Sequence, residues 1–378
     1  MARWEVPLAD FTIEPNELEA IAETYRSGWL SMGPQTEALE DEFARFAEAQ
    51  HAVAVSSGTA ALHLICLAAG LKPGDEVVVP SLTFVATVNA IAYTGARPVF
   101  ADIAGLTRPW LSEATIEAVR SPRTKAVMNV AYGGHAGETL AISHLAQRHG
   151  LTMLEDAAHA IGAEANGKKV GTLGLAGAYS FFSNKNLPVG EGGMVVTNDL
   201  QVAEQCRLLR SHGMSSMTWD RHRGHAASYD VLALGFNYRI DEPRATLARE
   251  RLKRLDRDNR RRQELDVRYR HALEKVNGVE PTLPPASPHR SSYHLFTAVL
   301  DEDVDRDEFR SALANCGIQT SVHYPPVHQF SIYESERADL PLTEAYARRG
   351  VTFPLFADMS AGQQDLVVRT VAGFLTAR

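Results

Sequence analysis

With 378 residues the chain has room for about two to three domains and a substantial buried core. A composition of 45% hydrophobic and 22% charged residues excludes disordered, collagen-like and coiled-coil classes. The formal net charge of −8 offers no field for nucleic acid or an anionic membrane. Cys66, Cys206 and Cys316 are scattered without a C-x-x-C pair, so neither a disulfide framework nor a zinc finger is expected, and no metal is. The start, Met1 to Pro15, lacks a basic end followed by an apolar stretch, and Pro80 and Asn89 interrupt the most apolar region. A cytoplasmic protein with neither signal peptide nor membrane span is the expectation.

In chain order, strands are predicted at Ala52–Ser56, Glu76–Val79, Arg97–Asp102, Lys125–Val130, Leu151–Glu155, Ala178–Phe182 and Met194–Thr197. Helical patterns at Thr59–Ala69, Phe84–Tyr93 and Ala141–His149 separate several of them. Near-continuously apolar strands alternating with helices predict an α/β fold, a three-layer domain around a mostly parallel seven-stranded sheet. Near Asp241 a long charged helix begins and runs to about Lys275, followed by breaks at Pro281, Pro284, Pro285 and Pro288. The expected division is a large domain over 1–240, N-terminal segment included, and the linking helix with a smaller α/β domain over 241–378. That tail is assigned a strand at Tyr293–Leu300, a helix at Arg306–Asn315, the segment Gln319–Tyr324 and a helix near Gly362–Leu375. Acidic residues interleave with the arginines of the long helix, giving pairs such as Asp258 with Arg262, while Leu252, Leu255 and Leu265 mark an apolar stripe. A solvated helix packed on one face accounts for this better than a nucleic-acid stripe.

Three stretches carry chemistry. Ser56-Ser57-Gly58-Thr59-Ala60-Ala61-Leu62 follows a strand and opens a helix, as an anion cradle does and as an ordinary N-cap also does. Glu155-Asp156-Ala157-Ala158-His159 stands at a strand end, where open α/β sheets place ligand contacts, although a capped helix start has the same letters. A single lysine, Lys185, lies between two strands and is followed by the cluster Gly190-Glu191-Gly192-Gly193. An exposed loop lysine would look the same alone, but a partly desolvated one lowers its pKa and forms Schiff bases. Together an anion grip, an acid and a lysine on successive strand ends meet the needs of pyridoxal 5'-phosphate.

The chain resembles the DegT/DnrJ/EryC1/StrS aminotransferases, sugar aminotransferases within the fold type I pyridoxal-phosphate enzymes. The matches are S-S-G-T-A-A-L at 56–62, P-S-L-T-F-V-A-T at 80–87, E-D-A-A-H-A at 155–160, S-F-x-x-x-K-x-x-x-x-G-E-G-G at 180–193 and N-Y-R at 237–239. They fall within a likeness that extends from Gly28-Trp29-Leu30-Ser31-Met32-Gly33-Pro34 to Thr352-Phe353-Pro354-Leu355. The resemblance implies that Lys185 anchors the cofactor and moves the substrate proton, that Asp156 keeps the pyridine nitrogen protonated, and that His159 approaches the phenolic oxygen. It implies stacking by Phe84 and phosphate contacts from Gly58, Thr59, the Ala60 amide and Ser180. Asn237 matches a residue that reaches the phosphate of the neighbouring subunit, which implies a homodimer with shared sites.

Trp29, Ser31, Arg239, His323, Tyr324 and His328 fall in segments that the family uses around the substrate, with Arg239 matched to the donor carboxylate. From their letters alone, Asn237-Tyr238-Arg239 reads as a capping turn and His323 to His328 as a Pro-rich loop. Ile240-Asp241-Glu242-Pro243-Arg244 departs from the common pattern, and Pro243 near a helix start is tolerated. A related dehydratase subgroup has histidine where this chain has Lys185, so its lysine favours transamination. The implied activity moves an amino group from L-glutamate to a keto group of a nucleotide-activated deoxy sugar. A keto-cyclitol acceptor with glutamine or glutamate as donor, and a cofactor-binding sensor that has lost its chemistry, are the alternatives.

Overall fold

The computed structural model describes residues 4–215, 228–285 and 289–377, so Pro288 and the first three residues lie outside it. Two helices, α1 (Pro15–Arg26) and α2 (Pro34–Phe46), precede the first strand, β1 (His51–Val55). Each carries proline at its start, where the missing N–H costs nothing. Then come α3 (Gly58–Ala68), β2 (Glu76–Pro80), α4 (Val85–Ala92), β3 (Arg97–Ala101), α5 (Glu113–Glu117), β4 (Thr124–Val130), α6 (Thr139–His149) and β5 (Thr152–Asp156). A small hairpin, β6 (Glu164–Ala165) with β7 (Lys168–Lys169), leads to β8 (Ala176–Ser180), β9 (Gly193–Thr197) and α7 (Leu200–Arg210).

The seven-stranded sheet has the order β1-β9-β8-β5-β4-β2-β3. The pairs from β3 through β2, β4 and β5 to β8 are parallel, and β9 runs antiparallel to both β8 and β1. All seven predicted strands are present. Their continuous apolar character has the expected cause, since β2, β8 and β9 are buried at every residue. On one face α3 packs Leu62, Leu64 and Ile65 against Val53, Val55 and Val195. On the other, α2 inserts Phe43 edge-on against Tyr179 at 5.2 Å and beside Phe181.

The long helix α8 (Glu242–Leu273) begins at Asp241, whose carboxylate accepts from the Arg244 amide. After it come β10 (Val279–Pro281), β11 (Phe296–Leu300), α9 (Arg306–Asn315), α10 (Pro341–Arg349), β12 (Gly350–Phe353) and α11 (Ala361–Thr376). A three-stranded antiparallel sheet, β10-β11-β12, has its own core of Phe296, Phe309, Phe353 and Val371. The helix α8 serves both cores, with Ala245, Ala248 and Leu255 in the first and Leu265, Tyr269 and Leu273 in the second.

The structure corrects one expected pairing and adds two backbone bridges. Val6 bridges to Ile318 and lies in the core around the three-stranded sheet. The Asp258 carboxylate meets Arg254 and Arg257, while Arg262 donates to the Leu355 carbonyl in the interior. Within the segment Gln319–Tyr324, Ser321 bridges to Thr352. Among the described residues no helix is long and apolar enough to cross a membrane.

Candidate active site

Where the strands of the parallel sheet end, the turns gather around a cavity of about 430 Å³, within the size range of small-molecule sites. Ser57, Gly58 and Thr59 follow β1, and Thr83, Phe84 and Thr87 follow β2. Asp156 ends β5, with Ala158 and His159 after it, while Ser180 ends β8, with Phe182, Asn184 and Lys185 after it. His323 and Tyr324 close the cavity from the C-terminal unit.

At the start of α3 the Ser57 hydroxyl accepts from the Ala60 amide at 3.1 Å, which places the Ala60 donor in the cap rather than in the cavity. The Gly58 and Thr59 amides precede the first intrahelical bond and have no partner within the helix. With the helix dipole they make a positive corner. A side chain at Gly58 would put its Cβ 2.8 Å from the Ser180 Cβ, and one at Gly193 would lie 2.5 Å from the Ser57 carbonyl. Glycine at both positions brings the Ser57 corner and the Ser180 hydroxyl side by side.

Lys185 is held in a turn by its amide, which donates to the Phe182 carbonyl at 2.8 Å. Burial pushes its ammonium down from the usual lysine range to about 8, with Asp156 opposing the shift. Asp156 is itself buried, which raises its carboxyl. Two donors work against that effect, the Thr87 hydroxyl at 2.6 Å and the Ala158 amide at 3.0 Å. Glu155 points away and accepts from the amides of Gly171, Leu173 and Gly174, each at 2.7 Å, so it anchors a loop outside the cavity. Sequence reasoning missed Thr87, although it ends the 80–87 motif.

His159 is buried, and burial followed by repulsion from Lys185 and His323 holds it neutral. The Gly133 amide donates to its Nδ1 at 3.3 Å, which assigns the proton to Nε2, and Nε2–H donates to the Tyr324 hydroxyl at 2.9 Å. The Tyr324 ring lies 5.8 Å from Phe84 on the cavity wall. Burial pulls His323 down to about 4, and its Nδ1 meets the Thr352 hydroxyl at 2.8 Å.

The other sequence-derived candidates stand apart from the cavity. His328 is buried, with Nδ1 on Ser81 Oγ at 2.7 Å and Nε2 on Glu344 at 3.3 Å, so its ring is fully engaged inside the wall. Trp29 donates Nε1 to the Met32 carbonyl, and Ser31 is exposed beside it. The departing segment has a structural role there: Glu242 accepts from the Gly33, Gln35 and Thr36 amides and so caps α2. Asn237 is exposed. Arg239 is half-buried, and its Nη1 has no hydrogen-bond partner among the described residues. Among the described residues no group of three His, Cys, Asp or Glu side chains stands together to hold a metal ion.

SpsC, a spore coat polysaccharide biosynthesis protein of Bacillus subtilis, is 41% identical over 369 residues, covering 95% of this chain and 94% of that protein. The aminotransferase TlmJ from Streptoalloteichus hindustanus superposes with a TM-score of 0.92 at 34% identity, over 98% of this chain and 99% of TlmJ. DesV of S. venezuelae, solved in complex with a ketimine intermediate, gives 0.88 at 36% identity over 98% and 99% of the two chains. The sequence pattern of the DegT/DnrJ/EryC1/StrS aminotransferase family matches residues 12–372. With a strand-end cavity that holds a desolvated lysine beside a buried carboxylate, the chain is an aminotransferase and belongs to the DegT/DnrJ/EryC1/StrS family.

Proposed function

We propose that this enzyme carries pyridoxal 5'-phosphate in the cavity and moves an amino group from L-glutamate to the keto group of a nucleotide-activated deoxy sugar. The observation that carries the reading is Lys185 and Asp156 in one cavity, the amine drawn down to about 8 and the carboxylate fixed by Thr87 and Ala158. Family membership implies the cofactor, and the residues present fit it. The Gly58 and Ser180 contact leaves no room for a larger side chain, so two hydroxyls and two helix-start amides converge where a phosphate would be gripped.

The bound cofactor supplies an electron sink. Lys185 would anchor it and, once released, would carry a proton between the donor's α-carbon and the carbon on the far side of the transferred nitrogen, a task suited to an amine near neutrality. Asp156 would meet the pyridine nitrogen, and its locked rotamer would keep that nitrogen protonated. His159, with its Nε2–H on the Tyr324 hydroxyl, would approach the phenolic oxygen. Phe84, 55% exposed at the cavity wall, would cover one ring face. His323 and Tyr324, which line the cavity, would meet the acceptor, and His328 is fixed nearby in the chain by Ser81 and Glu344.

A homodimer is part of the reading. Leu234 is 94% exposed, and Val231 and Leu232 beside it are also open, in the segment leading to Asn237. A second copy covering these side chains would bring Asn237 to the neighbouring phosphate, with Trp29, Ser31 and Arg239 on the completed rim. The name of SpsC supports a carbohydrate acceptor. Three free cysteines suit the cytoplasm.

The test is the visible spectrum of the cofactor-loaded protein before and after L-glutamate, L-glutamine and other amino acids, added separately. L-Glutamate is expected to bleach the chromophore, and a nucleotide-linked keto sugar to restore it. Restoration by a free keto-cyclitol instead would overturn the acceptor assignment, and no bleaching with any donor would overturn the activity.

A further inference from the structure

The residue after the lysine has no part in the reading above, yet its side chain is among the most completely bonded in the interior. Asn186 is 8% exposed. Its Nδ2 donates to Asn259 Oδ1 of α8 at 2.8 Å and to the Ser292 carbonyl at 2.7 Å. Both amide hydrogens are thereby used, so Oδ1 is the acceptor and His294 Nδ1–H is its donor, at 3.0 Å. Asn259 passes the connection on, donating Nδ2 to the Ile161 carbonyl at 2.9 Å. The Ser292 hydroxyl donates to the His159 carbonyl at 2.6 Å. The amides of His294 and Leu295 reach the Gly133 carbonyl at 3.1 and 3.2 Å, and the Gly133 amide in turn sets the His159 tautomer. The His294 ring lies 4.4 Å from the His159 ring.

We propose that Asn186 is a positioning residue, which with His294 and Asn259 locks the Lys185 turn to α8 and to the His159 loop so that the lysine amine is held in one place in the cavity. The inference rests on Lys185 being the reactive amine. Its basis is geometric, since one side chain adjoining the lysine joins three segments that are otherwise far apart in the chain. An unfixed turn would let the amine swing towards water, where a lysine regains its ordinary basicity.

The test titrates Lys185 in the cofactor-free protein by its rate of acetylation with acetic anhydride across pH, read by mass spectrometry of the Lys185 peptide, alongside kcat and KM of the loaded enzyme. In Asn186→Ala the Lys185 midpoint is expected to rise by about one unit or more, and kcat to fall about tenfold with donor KM changed far less. His294→Phe, which keeps a ring and loses the donor, is expected to shift both readouts the same way. His294→Gln, which keeps an N–H donor, is expected to stay near wild type. A folded Asn186→Ala with unchanged titration and kcat overturns the proposal. Should that variant not fold, the His294 pair decides: equal behaviour of Phe and Gln overturns it, and loss in Phe with rescue in Gln supports it. Failure of pyridoxal phosphate to attach to Lys185 in the wild type is a separate result, and it would sink the functional reading instead.

Discussion

Asp156 shows how much of the chemistry depends on single hydrogen bonds. Burial pushes its carboxyl up, and the Thr87 hydroxyl at 2.6 Å is foremost among the effects that pull it back. A hydrogen bond to a charged group contributes about 1.5–3 kcal/mol, so Thr87→Val is expected to lower kcat and weaken cofactor binding about tenfold or more while the protein stays folded. Steady-state kinetics with a cofactor titration checks this. Lys185 sets a pH dependence of definite sign. Its midpoint is drawn down from 10.5 to about 8, so the amine is neutral and nucleophilic above pH 8 and protonated below. Uptake of pyridoxal phosphate by the cofactor-free protein is therefore expected to slow about tenfold per unit as pH falls below 8, and stopped-flow absorbance would measure it. Lys185 and Asp156 were legible in the sequence because strand ends and a glycine cluster flank them. Thr87, Asn186 and His294 were not, because their roles exist only once distant segments meet. Thr87 reaches Asp156 across 69 residues and His294 reaches Asn186 across 108.

At the scale of elements, the seven strands were readable because each is a short apolar run closed by turn residues, a pattern that burial on both faces imposes. The two N-terminal helices were not drawn from the sequence, since their packing partners lie far along the chain, on α8 for both and also at Tyr179 and Phe181 for α2. Charge decides that joint. Glu17 of α1 is 1% exposed and meets Arg251 at 3.2 Å and Arg254 at 3.1 Å. The charges of α8 thus divide between pairs along their own helix, such as Arg270 with Asp266, and pairs with Glu14, Glu17 and Glu42, and spacing within one segment cannot show the second set. Glu17→Ala strands the buried Arg251 guanidinium and is expected to cost about 3 kcal/mol. Urea denaturation followed by circular dichroism gives the value. The loss would be much smaller if the pair were a solvated surface contact.

At the scale of the molecule, α8 joins the core on one face of the large sheet to the core of the small sheet, with the cavity at the large sheet's carboxyl edge and His323 and Tyr324 supplied from the C-terminal part of the chain. The bridge from Val6 to Ile318 was not legible in the sequence, because it is backbone pairing across more than 300 residues that no local pattern signals. The exposed Val231, Leu232 and Leu234 are the clearest unfinished feature of the single chain. Leu232→Asp with Leu234→Asp is expected to give a folded monomer in sedimentation velocity with activity reduced at least tenfold. A variant that stays dimeric and fully active would remove this segment from the interface.

The central claim is that Lys185 is the amine that holds the cofactor. The most direct measurement adds pyridoxal 5'-phosphate to the cofactor-free protein, reduces with borohydride and maps the modified peptide by mass spectrometry. A single pyridoxyl group on Lys185, absent from an otherwise folded Lys185→Ala, is the expected result. Modification at another lysine, or none at all, would contradict the account.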